Sequence, residues 1–228
     1  MFGVAWTRDE QAWLALGAPP LIYLGGVTLS PQATAEHVRG APGAVYDSWN
    51  RIDLAPFGFR RERLEVWYVR APVPLPEASD PRELAIERVD ARDLLEFEAV
   101  SSRGFGGEAV SAGSIHPPNT DPRMTYWLGR VDGEGISAAM SYETDLAVGV
   151  FGVTTIAHAR GRGYATALMR RAILLDSGKP AVLNTDSDVA MRVYERLGFQ
   201  PVGECPLWSP GPVTRTDPDD VRTNTCHE

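Results

Sequence analysis

The sequence predicts an α/β (α+β) fold, a mixed, mostly antiparallel central sheet flanked by helices, and three observations predict it. Two apolar runs flank Asp132-Gly133-Glu134-Gly135, a hairpin signal because glycine accepts positive φ. A third apolar run, Ala147–Ile156, leads without interruption into a glycine-containing loop and then an amphipathic helix. A second strand–helix–strand unit comes between Ala181 and Leu207.

Leu84–Val89 reads as a strand, and Asp90 can cap a helix running to about Ser101. Arg103–Pro122 is rich in Gly, Ser and Pro and reads as a loop. Met124–Val131 and Ile136–Glu143 form the hairpin, and Ala147–Ile156 the strand beside it. From Gly163 to Asp176, residues Ala165, Leu168, Met169, Ala172 and Ile173 recur on one helical face, while Arg170 and Arg171 point elsewhere. Ser177-Gly178-Lys179-Pro180 stops that helix. Ala181–Thr185 is a short strand, and Asp186, Ser187 or Asp188 can cap the helix that ends at Gly198. Phe199–Leu207 returns as the last strand, with Val189, Val193, Tyr194 and Leu197 on the apolar stripe of the helix before it.

Composition bounds the function. A chain of 228 residues that is 43% hydrophobic can bury a sizeable core. No apolar run reaches the roughly 20 residues of a membrane span, and the first residues lack the pattern of a secretory signal, so no membrane partner is expected. Two cysteines, Cys205 and Cys226, are too few for a disulfide framework and suit a cytoplasmic location. A net charge of −8 argues against a nucleic-acid partner and leans toward a cationic acceptor. Lys179 is the sole lysine, as a GC-rich, bacterial coding bias would give.

The Pro-rich stretch 71–81 reads as an extended linker and divides the chain. Residues 1–70 precede it, 82–210 form the main domain, and 211–228 are a polar tail without apolar period. In the first part, Leu21–Leu29 reads as a strand and Ala33–Ile52 as mostly helical, broken around Gly40–Gly43. Gly58-Phe59 before Trp67-Tyr68 parallels Gly198-Phe199 before Leu207-Trp208. The first part therefore reads as an abbreviated, degenerate echo of the second. It would complete a sheet, cover an acceptor cleft or form a homodimer surface.

The chemistry concentrates in Val153–Thr166. A strand, a glycine-rich turn and a helix start together make an anion site, because the first amides of a helix lack intrahelical partners and sit at the positive end of its dipole. Arg160 and Arg162 add guanidinium donors, and glycines let the backbone approach a ligand closely. No Lys-Ser/Thr succeeds the loop, and no third glycine completes a dinucleotide fingerprint. The pattern that fits is R-x-x-G-x-A, with Arg160, Gly163 and Ala165.

That motif resembles the pyrophosphate loop of the GNAT acetyltransferase superfamily. Ala190-Met-Arg-Val-Tyr194-Glu-Arg-Leu-Gly198-Phe199, about thirty residues on, is similar to that family's A-x-x-x-Y-E-x-x-G-F ending. The resemblance covers roughly Leu84–Trp208 and implies a GNAT-like fold, preceded by a half-GNAT-like part without a cofactor loop. It implies acetyl-CoA as co-substrate, with no metal, lying where the strand ending near Thr155 splays from Ala181–Thr185. Main-chain groups of Val153, Thr154 and Thr155 would pair with the pantetheine arm. Arg160, Gly161, Arg162, Gly163, Tyr164, Ala165 and Thr166 would hold the pyrophosphate. Ser187 stands where the family often has an Asn on the cofactor, and Asn184 is a further contact or an inward strand residue. An unprotonated primary amine of a small molecule would attack the thioester directly, and Tyr194, a neutral phenol, would protonate the thiolate. The family's strand carboxylate is missing from Ala147–Ile156. Glu143 is the candidate base, with Asp145, Glu108 and His116 as further choices, and an amine arriving neutral would need none. A non-catalytic acyl-CoA-binding module is the alternative from another class, and a nucleotide-binding domain a third.

Overall fold

A computed structural model describes residues 4–20, 23–90, 93–107, 121–174 and 178–211. The strands are β1 (Trp6–Arg8), β2 (Ala12–Ala15), β3 (Gly26–Thr28), β4 (Val45–Tyr46), β5 (Phe59–Arg70), β6 (Ala85–Arg88), β7 (Met124–Val131), β8 (Glu134–Glu143), β9 (Val148–Thr155), β10 (Ala181–Thr185) and β11 (Gln200–Pro210). Among the described residues three α-helices accompany them: α1 (Leu94–Gly104), α2 (Tyr164–Ile173) and α3 (Asp188–Arg196).

The strands make one sheet in the order β1-β2-β3-β4-β11-β5-β10-β9-β8-β7-β6. From β1 to β7 its pairings read the same from either end. Two antiparallel pairs, a parallel pair and an antiparallel pair lead inward from β1, and the same series leads inward from β7. At the centre β5 and β11 cross antiparallel, from Gln200↔Val69 to Pro210↔Phe59. Each of these long strands leaves a left-handed glycine, Gly58 at φ 81° or Gly198 at φ 86°, followed by a phenylalanine. A single sheet therefore runs across the Pro-rich segment, and residues 1–70 lend β5 to the middle of it.

Two cores lie on opposite faces of the C-terminal strands. Leu168, Met169, Ala172 and Ile173 of α2 pack with Tyr194, Leu197, Phe199, Tyr68 and Leu183 on one face. Phe97 and Val100 of α1 pack with Tyr126, Leu128, Ala138 and Met140 on the other. Burying these side chains contributes roughly 1.5–3 kcal/mol each, the main stabilisation of the fold. A third core, with Val38, Val45, Leu54, Phe59 and Trp208, serves the N-terminal part.

The structure departs from several expectations. Ala33–Ile52 is not helical: it holds a three-residue 3-10 turn, Ala35–His37, and then β4. Gly40, Pro42 and Gly43 stop any continuation, and the Thr34 amide donates to His37 Nδ1 at 3.1 Å, which closes the turn on itself. Of the strand expected over Leu21–Leu29, β3 supplies three residues, and 21–22 lie outside the described residues. The hairpin needs only Asp132 (φ 50°) and Gly133 (φ 84°), so Glu134 and Gly135 belong to β8. Val189 is 67% exposed, not part of the buried stripe of α3. Residues 108–120, with Glu108 and His116, fall outside the described residues, as does Cys226.

Candidate functional site

The parallel pair β9/β10 is a fork. Register is held only at Val148↔Ala181 and Gly149↔Val182, and beyond these no hydrogen bond among the described residues joins the two strands. One residue of β8, Ala139, faces two of β9, Gly152 and Val153, between Ala138↔Thr154 and Met140↔Phe151, so β9 bulges at Gly152, which takes φ 57°. Ser137 Oγ donates to the Thr154 carbonyl at 2.7 Å, and the Ile156 amide to the Ile136 carbonyl at 3.0 Å. Successive strand residues direct their backbone groups to opposite edges. Val153 and Thr155 therefore turn theirs toward β10, into the opening. Thr154 and Thr155 keep their side chains buried, with Ser137 Oγ 2.9 Å from Thr155 Oγ1.

Past Thr155 the chain makes one 3-10 turn, Ala157–Ala159, and enters the glycine loop. Gly161 (φ 80°) and Gly163 (φ 84°) occupy left-handed backbone that side-chain-bearing residues avoid. Gly163 is the N-cap of α2 and offers no side chain to close it. The first intrahelical bond runs from the Ala167 amide to the Gly163 carbonyl at 3.0 Å, so the amides of Tyr164, Ala165 and Thr166 precede the helical ladder. Gly161, Arg162 and Gly163 are exposed in front of them. No acid lies in that first turn, so no side chain within the turn offsets the positive end of the dipole.

The side chains of this loop divide the work. Arg160 Nε donates to the Thr155 carbonyl at 3.0 Å and Nη2 to the Gly104 carbonyl at 2.7 Å. It braces the loop against the end of α1, where a Cβ on Gly104 would stand 2.2 Å from Thr154 Oγ1. The Tyr164 ring is buried, and its hydroxyl donates to Glu83 at 2.8 Å, so that residue faces a ligand only through its amide. Arg162 is the exposed guanidinium of the loop.

Tyr194, on α3, is 8% exposed, edge-on to Tyr68 (ring centroids 6.1 Å apart) and tilted against Phe199 (6.0 Å). Burial pushes its phenol up to about 12, so it stays protonated at neutral pH. Ser187 is the cap of α3, its Oγ accepting from the Ala190 amide at 3.4 Å. Glu143 sits at the paired end of the fork, opposite Val148, where Lys179 Nζ donates to it at 2.7 Å. Asn184, on the open arm of β10, donates through Nδ2 to Tyr46 Oη at 2.9 Å and to Glu65.

Tyr46 and Glu65 are residues that sequence reasoning passed over. A signal existed: Glu65 is in phase with Trp67 and Val69 along β5, so it shares their face. Among the described residues no group of three or more His, Cys, Asp or Glu side chains forms a metal site, and no helix is long and apolar enough to cross a membrane.

Comparison with known proteins gives one family model and a shared fold. Residues 90–199 match the model of the acetyltransferase (GNAT) family. Over 98 residues the chain is 36% identical to an N-acetylaspartate synthetase of Danio rerio, a match spanning 40% of this chain and 35% of that relative's length. A GCN5-related N-acetyltransferase from Kribbella flavida has the same fold at 18% identity, with a TM-score of 0.68 over 91% of this chain and 89% of that one. A functionally unknown conserved protein from Staphylococcus epidermidis is 13% identical with a TM-score of 0.63, over 92% and 95% of the two chains. Both structural likenesses extend through the N-terminal part. With its forked β9/β10 pair and its glycine loop, the matched segment, residues 90–199, is a domain of the GNAT acetyltransferase family.

Proposed function

We propose that the protein is an acyl-CoA N-acyltransferase that moves an acetyl group from acetyl-CoA to a primary amine of a small molecule, in a ternary complex. The observation that carries this reading is the uncapped start of α2 beyond Gly161 and Gly163, at the open end of the fork. The amides of Tyr164, Ala165 and Thr166, with Gly161, Gly163 and Arg162, would hold the pyrophosphate. Arg160 would support them by bracing the loop. Val153 and Thr155 would pair with the pantetheine arm as an added strand pairs with an edge. The side chains of Asn184 and Ser187 have partners within the protein, so cofactor contacts there would run through the backbone. Acetyl-CoA supplies the thioester; the protein's part is to orient it, exclude water and manage two protons. Tyr194, neutral and desolvated, would give its proton to the departing thiolate.

Residues 1–70 then serve as a half-domain without a cofactor loop, placed beside the acceptor side of the fork. L-Aspartate is one acceptor to test, since its acetylation product names the Danio rerio relative. One observation favours a non-catalytic acyl-CoA-binding module instead: β9 carries no carboxylate, and Lys179 already holds Glu143.

Thiol release with a panel of amines separates the two. Tyr194→Phe is expected to keep acetyl-CoA affinity while lowering kcat about 10²–10⁴-fold, the usual range for a lost general acid. Wild-type turnover in that variant would remove Tyr194 from the chemistry. Acetyl-CoA binding without turnover of any amine would favour the binding module.

A further inference from the structure

The fork has a carboxylate of its own, and it comes from the other half of the chain. β10 leaves β9 after Val182, so Asn184 stands on the open arm. Its register partner on β5 is Trp67, and Glu65 lies two residues before Trp67 on the same face. This face is opposite the α2/α3 core, which holds Leu183 and Tyr68. It is the face on which α1 packs against Met140, and Met140 is the register partner of the exposed Phe151 on the other arm. An acceptor approaching the fork on this face meets Phe151 on one side and Asn184 on the other.

Behind Asn184 lies a bonded cluster. Tyr46, on β4, reaches over β11 and β5, donates to Glu65 Oε2 at 2.6 Å and accepts from Asn184 Nδ2 at 2.9 Å. Asn184 also donates to Glu65, and Arg63 Nε donates to Glu65 Oε1 at 2.5 Å. The Glu65 residue is only 5% exposed, whereas Tyr46 and Asn184 are half-buried and front it. The charged and titratable groups around Glu65 are Arg63 on its own strand, with Asp186 3.8 Å beyond it, Tyr46 on β4, and Cys205 and Asp47 on the side of β11 and β4.

We propose that Glu65, reached through Tyr46, takes the proton of the acceptor amine, so that residues 1–70 supply the base that β9 lacks. This rests on the acetyl-transfer reading. The acceptor enters as an ammonium and gives one proton to the Tyr46 oxygen as the Tyr46 proton passes to Glu65. The freed nitrogen lone pair forms the N–C bond, the C–S bond breaks, and the thiolate takes the Tyr194 proton. The new amide nitrogen sheds its extra proton, which restores Tyr194, and Glu65 returns its proton to water. One amine proton is released per turnover. The class of acceptor is a primary amine that is cationic at neutral pH.

The test compares Glu65→Gln with wild type, using acetyl-CoA, thiol detection and a panel of L-aspartate, glycinamide, ethanolamine and spermidine. With the fastest amine, Glu65→Gln is expected to bind acetyl-CoA as wild type does and to lose about 10²–10³-fold in kcat/KM at pH 7. The gap should narrow as pH approaches the amine's own pKa, because a free amine needs no base, and Glu65→Asp should recover part of the rate. Tyr46→Phe, which removes only the phenolic link, should lose about tenfold with the same narrowing, and it decides the matter if Glu65→Gln does not fold. Wild-type kcat/KM in the variant that folds, or a loss equal at every pH, would overturn the assignment. So would acetyl-CoA binding without turnover of any amine. Failure of the wild-type protein to bind acetyl-CoA would instead overturn the reading beneath it.

Discussion

The sheet contains two parallel forks, and they differ beyond their paired residues. In the C-terminal fork β9 and β10 part after Gly149 and Val182, and among the described residues nothing bridges them. In the N-terminal fork β3 and β4 pair at Gly26↔Val45 and Val27↔Tyr46, and the next residues are laced together. Thr28 Oγ1 donates to Asp47 Oδ1 at 3.3 Å, the Ser48 amide donates to Thr28 Oγ1 at 2.8 Å, and Ser48 Oγ donates to the Thr28 carbonyl at 2.7 Å. Asp47 also accepts from the amides of Arg51 (2.5 Å) and Ile52 (2.9 Å), so a carboxylate of the chain itself occupies the loose N–H groups. The helix that starts bare after β9 is replaced after β3 by the turn that His37 closes. One arrangement is left with unmet donors and space, and the other meets its own donors. If the open fork binds the cofactor as proposed, a binding fork is distinguished from a structural one by the groups it leaves unsatisfied.

The largest effect should come from unlacing the closed fork. Asp47 is 1% exposed, and Asp47→Ala strands the amides of Arg51 and Ile52 and the hydroxyl of Thr28. A loss of roughly 3 kcal/mol in urea unfolding is expected, with acetyl-CoA affinity per folded molecule unchanged. A change in affinity would mean that the N-terminal fork binds cofactor after all. Next is the open fork. Gly163→Ala must place a Cβ at φ 84°, at a cost of about 1–2 kcal/mol, and coenzyme A affinity should weaken about tenfold as the α2 amides turn away. Unchanged affinity would separate the ligand from that helix start.

How much of the fold and site was readable depends on whether the signal was local. The C-terminal elements were legible because their periodicities are long and their turns carry glycine. α2 and β9 fall within a few residues of expectation, and Gly161 and Gly163 take left-handed backbone that glycine alone adopts freely. The N-terminal part was not, because strands of two to four residues give no period and the alanine-rich stretch from Ala33 favours helix on propensity alone. The seating of β5 between β10 and β11 is a long-range choice that no local pattern encodes. Glu65 was missed for a related reason. The run Arg60-Arg61-Glu62-Arg63-Leu64-Glu65 reads as a solvated edge, and only the pairing with β11 buries its last residue.

The smallest effect concerns the seam where the halves cross. Burial, aided by the charges of Glu65 and Asp47, pushes the Cys205 thiol up to about 12, from an ordinary value near 9. Above pH 9 the unfolded chain releases a proton that the folded chain retains, so stability falls as pH rises toward 12. The contribution is fully present below pH 9. Cys205→Ala should flatten the alkaline limb of the stability profile and leave the acid limb alone, as followed by urea midpoints across pH 8–11. An unchanged alkaline limb would assign the loss to the buried tyrosines instead.

In the proposed reading, cofactor binding, and with it acetyl transfer, depends on the bare amides at the start of α2 gripping a diphosphate. Isothermal titration of the wild-type protein with coenzyme A tests that grip most directly. Saturable micromolar binding, weakened in Gly163→Ala and retained in Asp47→Ala, is the predicted result. No binding, or binding that Gly163→Ala leaves untouched while Asp47→Ala abolishes it, would contradict it.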